Sequence, residues 1–195
     1  MRFSTHYVKL VLDVLFTRFE LVIVKGGSRC IWAGNAKGKG GKMTHMDDRL
    51  IEIRTMLYGE TNQVPLGDDE LISVLLTYPA CLVAAADGII DVAERLFLLN
   101  VAEELGDGDV DQSPDRRLRS AERYRAFMWL LNEKDKCDAL ILDSIKEFLK
   151  VNEETVAHIK EMVWGMADAS DGVSQEEKDE ISRIYTALEI TETIN

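Results

Sequence analysis

The stretch Ala85-Ala86-Asp87-Gly88-Ile89-Ile90-Asp91-Val92-Ala93-Glu94 returns in altered form as Ala169-Ser170-Asp171-Gly172-Val173-Ser174-Gln175-Glu176-Glu177-Lys178. In both copies an apolar run of helical spacing ends at Asp-Gly, and an amphipathic run begins a few residues later. Asp91-x-x-Glu94 and Ser174-x-x-Glu177 are capping-box patterns: the first side chain bonds the amide three residues on, and the glutamate reaches back to the first residue's amide. Gly88 and Gly172 suit the left-handed residue that closes the preceding helix. Each stretch therefore reads as helix, tight corner, helix. The two glycines stand 84 residues apart, which leaves room for about three to four helices per half at ordinary lengths.

Outward from these corners the pattern stays helical. Asp47-Asp48 precede an amphipathic run from Leu50 to Leu57, and Tyr58 to Gly67 holds the breakers Gly59, Asn62, Pro65 and Gly67. Asp68-Asp69-Glu70 put negative charge at the start of the next helix, where the macrodipole favours it. That helix extends to about Ala86 and is so apolar that it reads as the central, buried one; Pro79 predicts a kink in it. Residues 91–105 form another helix, with Val92, Leu96 and Leu99 as its apolar line and Phe97, Val101 and Leu105 alongside. Ser113-Pro114 then opens a helix in the expected order of cap and first-turn proline, with Leu118, Ala121, Tyr124, Phe127, Met128 and Leu131 at helical spacing. Residues 138–149 form the next, Asn152 caps one over 153–168, and 175–189 form the last. About seven short-looped helices without alternating strands predict an all-α bundle in two pseudo-repeated halves.

The first forty residues differ. Residues 1–42 carry eight Lys/Arg and two Asp/Glu, net +6, whereas 43–195 carry 15 basic and 33 acidic residues, net −18. Residues 3–24 read as an amphipathic helix or a hairpin-like apolar segment. Residues 26–42, with six glycines among lysines, read as a flexible linker. A phosphate loop fails on spacing, because Ala36 stands where the first glycine belongs and Met43 where Ser/Thr would bind magnesium. The domain reading is thus a basic, Gly/Lys-rich extension over 1–45 and a helical domain over 46–195. The extension is either a poorly structured part of the native protein or an over-extended start, with Met43 or Met46 as the first native residue.

Charge and cysteine usage bound the function. An acidic body repels nucleic acid and anionic lipid and attracts cations or basic partner surfaces. The three cysteines, Cys30, Cys81 and Cys137, are odd in number, far apart and without a CxxC. Cys81 and Cys137 sit in apolar helical contexts as buried free thiols, which fits a reducing, cytoplasmic setting. Tyr7 to Val24, the best candidate for a membrane span, is interrupted by Lys9, Asp13, Arg18 and Glu20, so no transmembrane segment is expected.

The paired corners resemble those of the TerB family of tellurite-resistance proteins, over roughly residues 68–190. Ala169 to Lys178 is close to the family's own phrase, and a second Asp-Gly…Glu copy in the other half is characteristic of it. The Asp-to-Glu interval is seven residues in the first copy and six in the second, so the wider TerB-like superfamily is the level of the resemblance. It implies a non-catalytic stress-response protein of the cytoplasm, a scaffold or sensor that works through protein partners. A membrane-anchored co-chaperone with a J-domain also has a relative of this unit; the present chain has no His-Pro-Asp signature.

Carboxylates around a turn with free carbonyls suit a hard divalent cation, calcium or magnesium. The candidate metal ligands are Asp87, Asp91, Glu94, Asp171 and Glu177. Neither turn is an EF-hand: with glycine at loop position six, positions one and three are Val83 and Ala85, or Ala167 and Ala169. Asp107-Gly108-Asp109-Val110-Asp111 reads as a solvated acidic loop. No HExxH and no GxSxG occur, His158 and Glu161 read as an exposed pair, and Trp129 and Trp164 read as core residues. No enzyme is expected. Tellurite is an oxyanion, so a body of net −18 disfavours its direct capture. The competing expectation is a metal-independent helical interaction module of co-chaperone type, in which the corners are caps alone. For the extension, mass spectrometry of the native N-terminus decides between the two readings: peptides from residues 3–40 establish translation, and a mature start at Met43 or Met46 removes them.

Overall fold

The computed structural model describes residues 44–59, 66–105, 114–169 and 172–191. The expectations for residues 1–43, for the acidic loop after Leu105, for Ser113 and for Asp171 lie outside these. Seven helices and no strand stand among the described residues: α1 Thr44–Tyr58, α2 Asp68–Ala84, α3 Val92–Glu104, α4 Pro114–Asn132, α5 Lys134–Leu149, α6 Thr155–Ala167 and α7 Gln175–Ala187. The all-α, two-half expectation holds.

Helix α2 is the axis. Twelve of its 17 residues are buried, from Leu71 to Ala84, and it packs against α4, α5, α6 and α7. An element surrounded on all sides has to be apolar all round, which is what made it recognisable. It continues through Pro79 as a single helix. Its first turn is neutralised from α4: Glu70 accepts from Arg123 at 2.8 Å and pairs with Arg119 at 3.2 Å. Arg123 is buried and also donates to the carbonyl of Ala102 at 3.0 Å, near the end of α3. One guanidinium thus ties three helices, with a charge-assisted bond on each side.

Several local expectations are corrected. Helix α3 turns Val92, Leu96 and Leu99 outward; Val101 and Leu105, expected alongside them, are buried, together with Glu94, Leu98 and Ala102. In α4, Leu118 and Ala121 are exposed, while Ser120, Arg123, Phe127 and Leu130 face the core. Helix α5 begins at Lys134, separated from α4 by Glu133 alone. Asn152 does not cap the next helix. Its Nδ2 donates to the carbonyl of Phe148 at 3.0 Å, because an amide supplies the donor that a helix C-terminus lacks. Helix α7 ends at Ala187. Glu189 there takes a left-handed φ of 56°, and the Ile190 amide bonds back to Tyr185 at 2.9 Å, a Schellman closure with Ile190 buried. Trp164 is exposed rather than core, and His158 is buried rather than exposed, 3.9 Å from Glu161. Cys81 and Cys137 are buried free thiols, as expected.

The register of α3 is checked by one pair of substitutions. Leu98→Ala empties a fully buried site and is expected to cost about 2–5 kcal/mol. Leu96→Ala, two residues earlier, is expected to stay within about 0.5 kcal/mol of wild type. Denaturant unfolding of both variants measures the difference, and a larger loss at Leu96 than at Leu98 would mean that α3 is turned the other way.

Candidate functional site

Both corners are built as two capping boxes. Asp91 accepts from the Glu94 amide at 2.8 Å, and Glu94 Oε2 accepts from the Asp91 amide at 2.7 Å. Ser174 Oγ accepts from the Glu177 amide at 3.1 Å, and Glu177 Oε2 accepts from the Ser174 amide at 2.7 Å. Gly88 and Gly172 have φ of 84° and 123°, conformations open to glycine at no steric cost. The connections are equally long, residues 85–91 and 168–174. Within them the glycine is displaced by one residue, which accounts for the unequal Asp-to-Glu intervals.

Both corners turn their glutamates out of water. Helices α2 and α6, which precede the corners, pack against each other, and at Gly165 of α6 a Cβ would stand 3.7 Å from the ring of Phe97 in α3. Glu94 and Glu177 are 6% and 5% exposed, and the charge of Glu177 is felt at Glu94. Burial, above all, pushes the Glu94 carboxyl up to about 7; the Asp91 amide bond opposes this, and the charges of Asp91, Asp87 and Glu177 add to the rise. Among the described residues, Glu177 Oε1 is buried without a hydrogen-bond partner.

The other candidate ligands sit differently. Asp87 is exposed and its Oδ1 accepts from the Ile89 amide at 2.8 Å, an Asx turn. Asp91 is exposed, with Oδ1 held in the cap. Asp171 lies outside the described residues. Among the described residues no group of three or more His, Cys, Asp or Glu side chains is gathered as for a metal ion. The spacing predicted the caps; that their glutamates face the core could have been found by placing Glu94 on one stripe with Leu98, Val101 and Leu105, and Glu177 with Ile181, Ile184 and Leu188. No family model, curated protein or solved structure matches this chain.

A carboxyl whose folded-state pKa lies above its unfolded value binds its proton more tightly when folded, so its contribution to stability falls as pH rises from about 4.5 to about 7. Glu94→Gln keeps the cap acceptor without the charge. It is expected to raise Tm at pH 8 by about 3 °C or more, an advantage that shrinks steadily towards pH 5. Scanning calorimetry across that range checks the slope, and a gain independent of pH would contradict it.

Proposed function

We propose that this chain is a non-catalytic, TerB-like stress-response protein, a scaffold or sensor that uses its paired acidic corners to hold a divalent cation. The observation that supports the reading is the burial of both corner glutamates, with one oxygen of Glu177 buried and unbonded among the described residues. Two buried carboxylates repel unless a proton or a cation stands between them. Calcium and magnesium take oxygen ligands and complete their shells with water. Glu94 and Glu177 would supply the inner oxygens, and Asp87, Asp91 and Asp171 the outer ones. Affinity would be modest, on the order of 10⁻⁴–10⁻³ M, because cap bonds already engage one oxygen each of Asp91, Glu94 and Glu177. The resemblance associates the protein with tellurite or related stress, and the net charge of −18 over residues 43–195 favours basic protein partners over the oxyanion itself.

A second reading is supported by those same cap bonds. If they are the whole role of the corners, the chain is a metal-independent interaction module of co-chaperone type. Calorimetric titration of the full chain with calcium and magnesium separates the two. The cation reading expects heat with at least one ion, and its loss in Asp87→Asn/Asp171→Asn. Absence of heat in wild type leaves the interaction module.

A further inference from the structure

Helix α3 carries two apolar lines, and the core uses one. Val92, Leu96 and Leu99 are 74%, 49% and 37% exposed, and Ile89, at the corner just before, is 69% exposed. Alternate steps of four and three residues are the spacing of a coiled-coil seam, a narrower line than a helix turns to its own core. Helix α7 is an internal control. Aligned on the capping-box glutamates, Leu98, Val101, Ala102 and Leu105 correspond to Ile181, Ile184, Tyr185 and Leu188, all buried. The outer line corresponds to Gln175, Asp179 and Ser182, all polar and exposed. A corner with its following helix therefore folds with a polar outer line, and the apolar one on α3 answers to something other than packing of the unit. Exposed apolar side chains that share one line mark contact surfaces.

Spacing and charge together specify the occupant. A seam of this period is filled by the apolar line of another helix, laid along it with side chains at matching steps. Acids stand at both ends of the line: Asp87 and Asp91 before it, and Glu103 one step of four beyond Leu99, all exposed. Residues 85–105 carry five acidic side chains and one basic one. That base, Arg95, is turned back, its Nε donating to the Ile90 carbonyl at 3.1 Å. A helix whose flanks carry Lys or Arg therefore meets opposite charge along the seam, whereas one with acidic flanks is repelled. A second copy fits worse, because it would set the same acids and two bodies of like charge against each other. From Val92 to Glu103 the seat is about 16 Å long at ~1.5 Å per residue, which is three turns of a partner helix.

We infer that the line of Ile89, Val92, Leu96 and Leu99 is the docking seat for a basic amphipathic helix of a partner protein. This deepens the reading of a chain that works through basic partners, on which it rests, and it is independent of whether the corners hold a cation. The test uses the full chain and a synthetic helix of about three heptads with Leu at a and d and Lys at e and g. A twin peptide carries Glu in place of Lys. The stripe variant Val92→Gln/Leu96→Asp/Leu99→Ser copies the residues of the second half and adds negative charge, so attraction by charge alone would strengthen in it. Affinities are measured at physiological salt, the bound site is mapped by amide chemical shifts, and sedimentation gives the association state. The expected result is a monomer that binds the Lys peptide with shifts centred on α3, at least about tenfold more tightly than the stripe variant does, and binds the Glu peptide more weakly still. Equal affinity in wild type and stripe variant overturns the inference, as does equal affinity for the two peptides. Shifts centred elsewhere overturn the seat on α3 and leave a basic partner; no binding at all overturns both. A wild-type dimer that the stripe variant dissolves assigns the line to self-association and overturns the inference too. If the stripe variant does not fold, the shift map of wild type decides alone: shifts along α3 with the Lys peptide sustain the seat, and their absence refutes it.

Discussion

Two carboxyls of like charge are held inside this protein by the geometry of its helix starts. A capping box needs its glutamate at the third position of the helix. In α3 and α7 that position shares a stripe with the residues that pack on the core, so the side chain that satisfies the helix start is also taken out of water. Each cap stabilises its helix by about 1 kcal/mol, whereas burying a charge opposes folding unless the charge is neutralised or paired. The opposition is visible at Glu94, whose carboxyl is pushed up to about 7 by burial. Glu94 is therefore a place in the described molecule where a proton changes the balance between folded and unfolded chain.

The same register explains the outside of α3. Once Glu94 points inward, Leu98, Val101 and Ala102 follow at helical steps, and Val92, Leu96 and Leu99 are left on the opposite side. The second half obeys the same geometry with Gln175, Asp179 and Ser182 outside. Fold and surface have thus separated within one repeated unit: the inner line is kept apolar in both copies, and the outer line differs. That divergence leaves an exposed apolar line on α3 and an exposed polar one on α7.

Much of the fold was legible because each helix carries its own punctuation. Glycine, proline and the capping boxes marked the boundaries, and the unbroken apolar run of α2 marked the axis. Facing was harder to read. In α3 apolar residues occupy both sides, so periodicity favoured Val92, Leu96 and Leu99 over the side of Val101 and Leu105, and that buried side includes a glutamate. In α4 the inward line contains Ser120 and Arg123, and Arg123 is buried because Glu70 and the Ala102 carbonyl answer its charge and donors. Polar residues that are buried with partners in distant segments leave no local signal. The capping role of Glu94 and Glu177 was therefore readable, and their burial was not, since it depends on how helices distant in the chain pack around the corners.

Glu94 is buried at its corner and its carboxyl is raised chiefly by that burial, with the charge of Glu177 adding to the rise. Carbon-detected NMR titration of the Glu94 side-chain carboxyl, in wild type and in Glu177→Gln, tests it most directly. The expected midpoint is near 7 in wild type and lower once the charge at Glu177 is removed. A midpoint in the ordinary glutamate range, unmoved by that substitution, would contradict it.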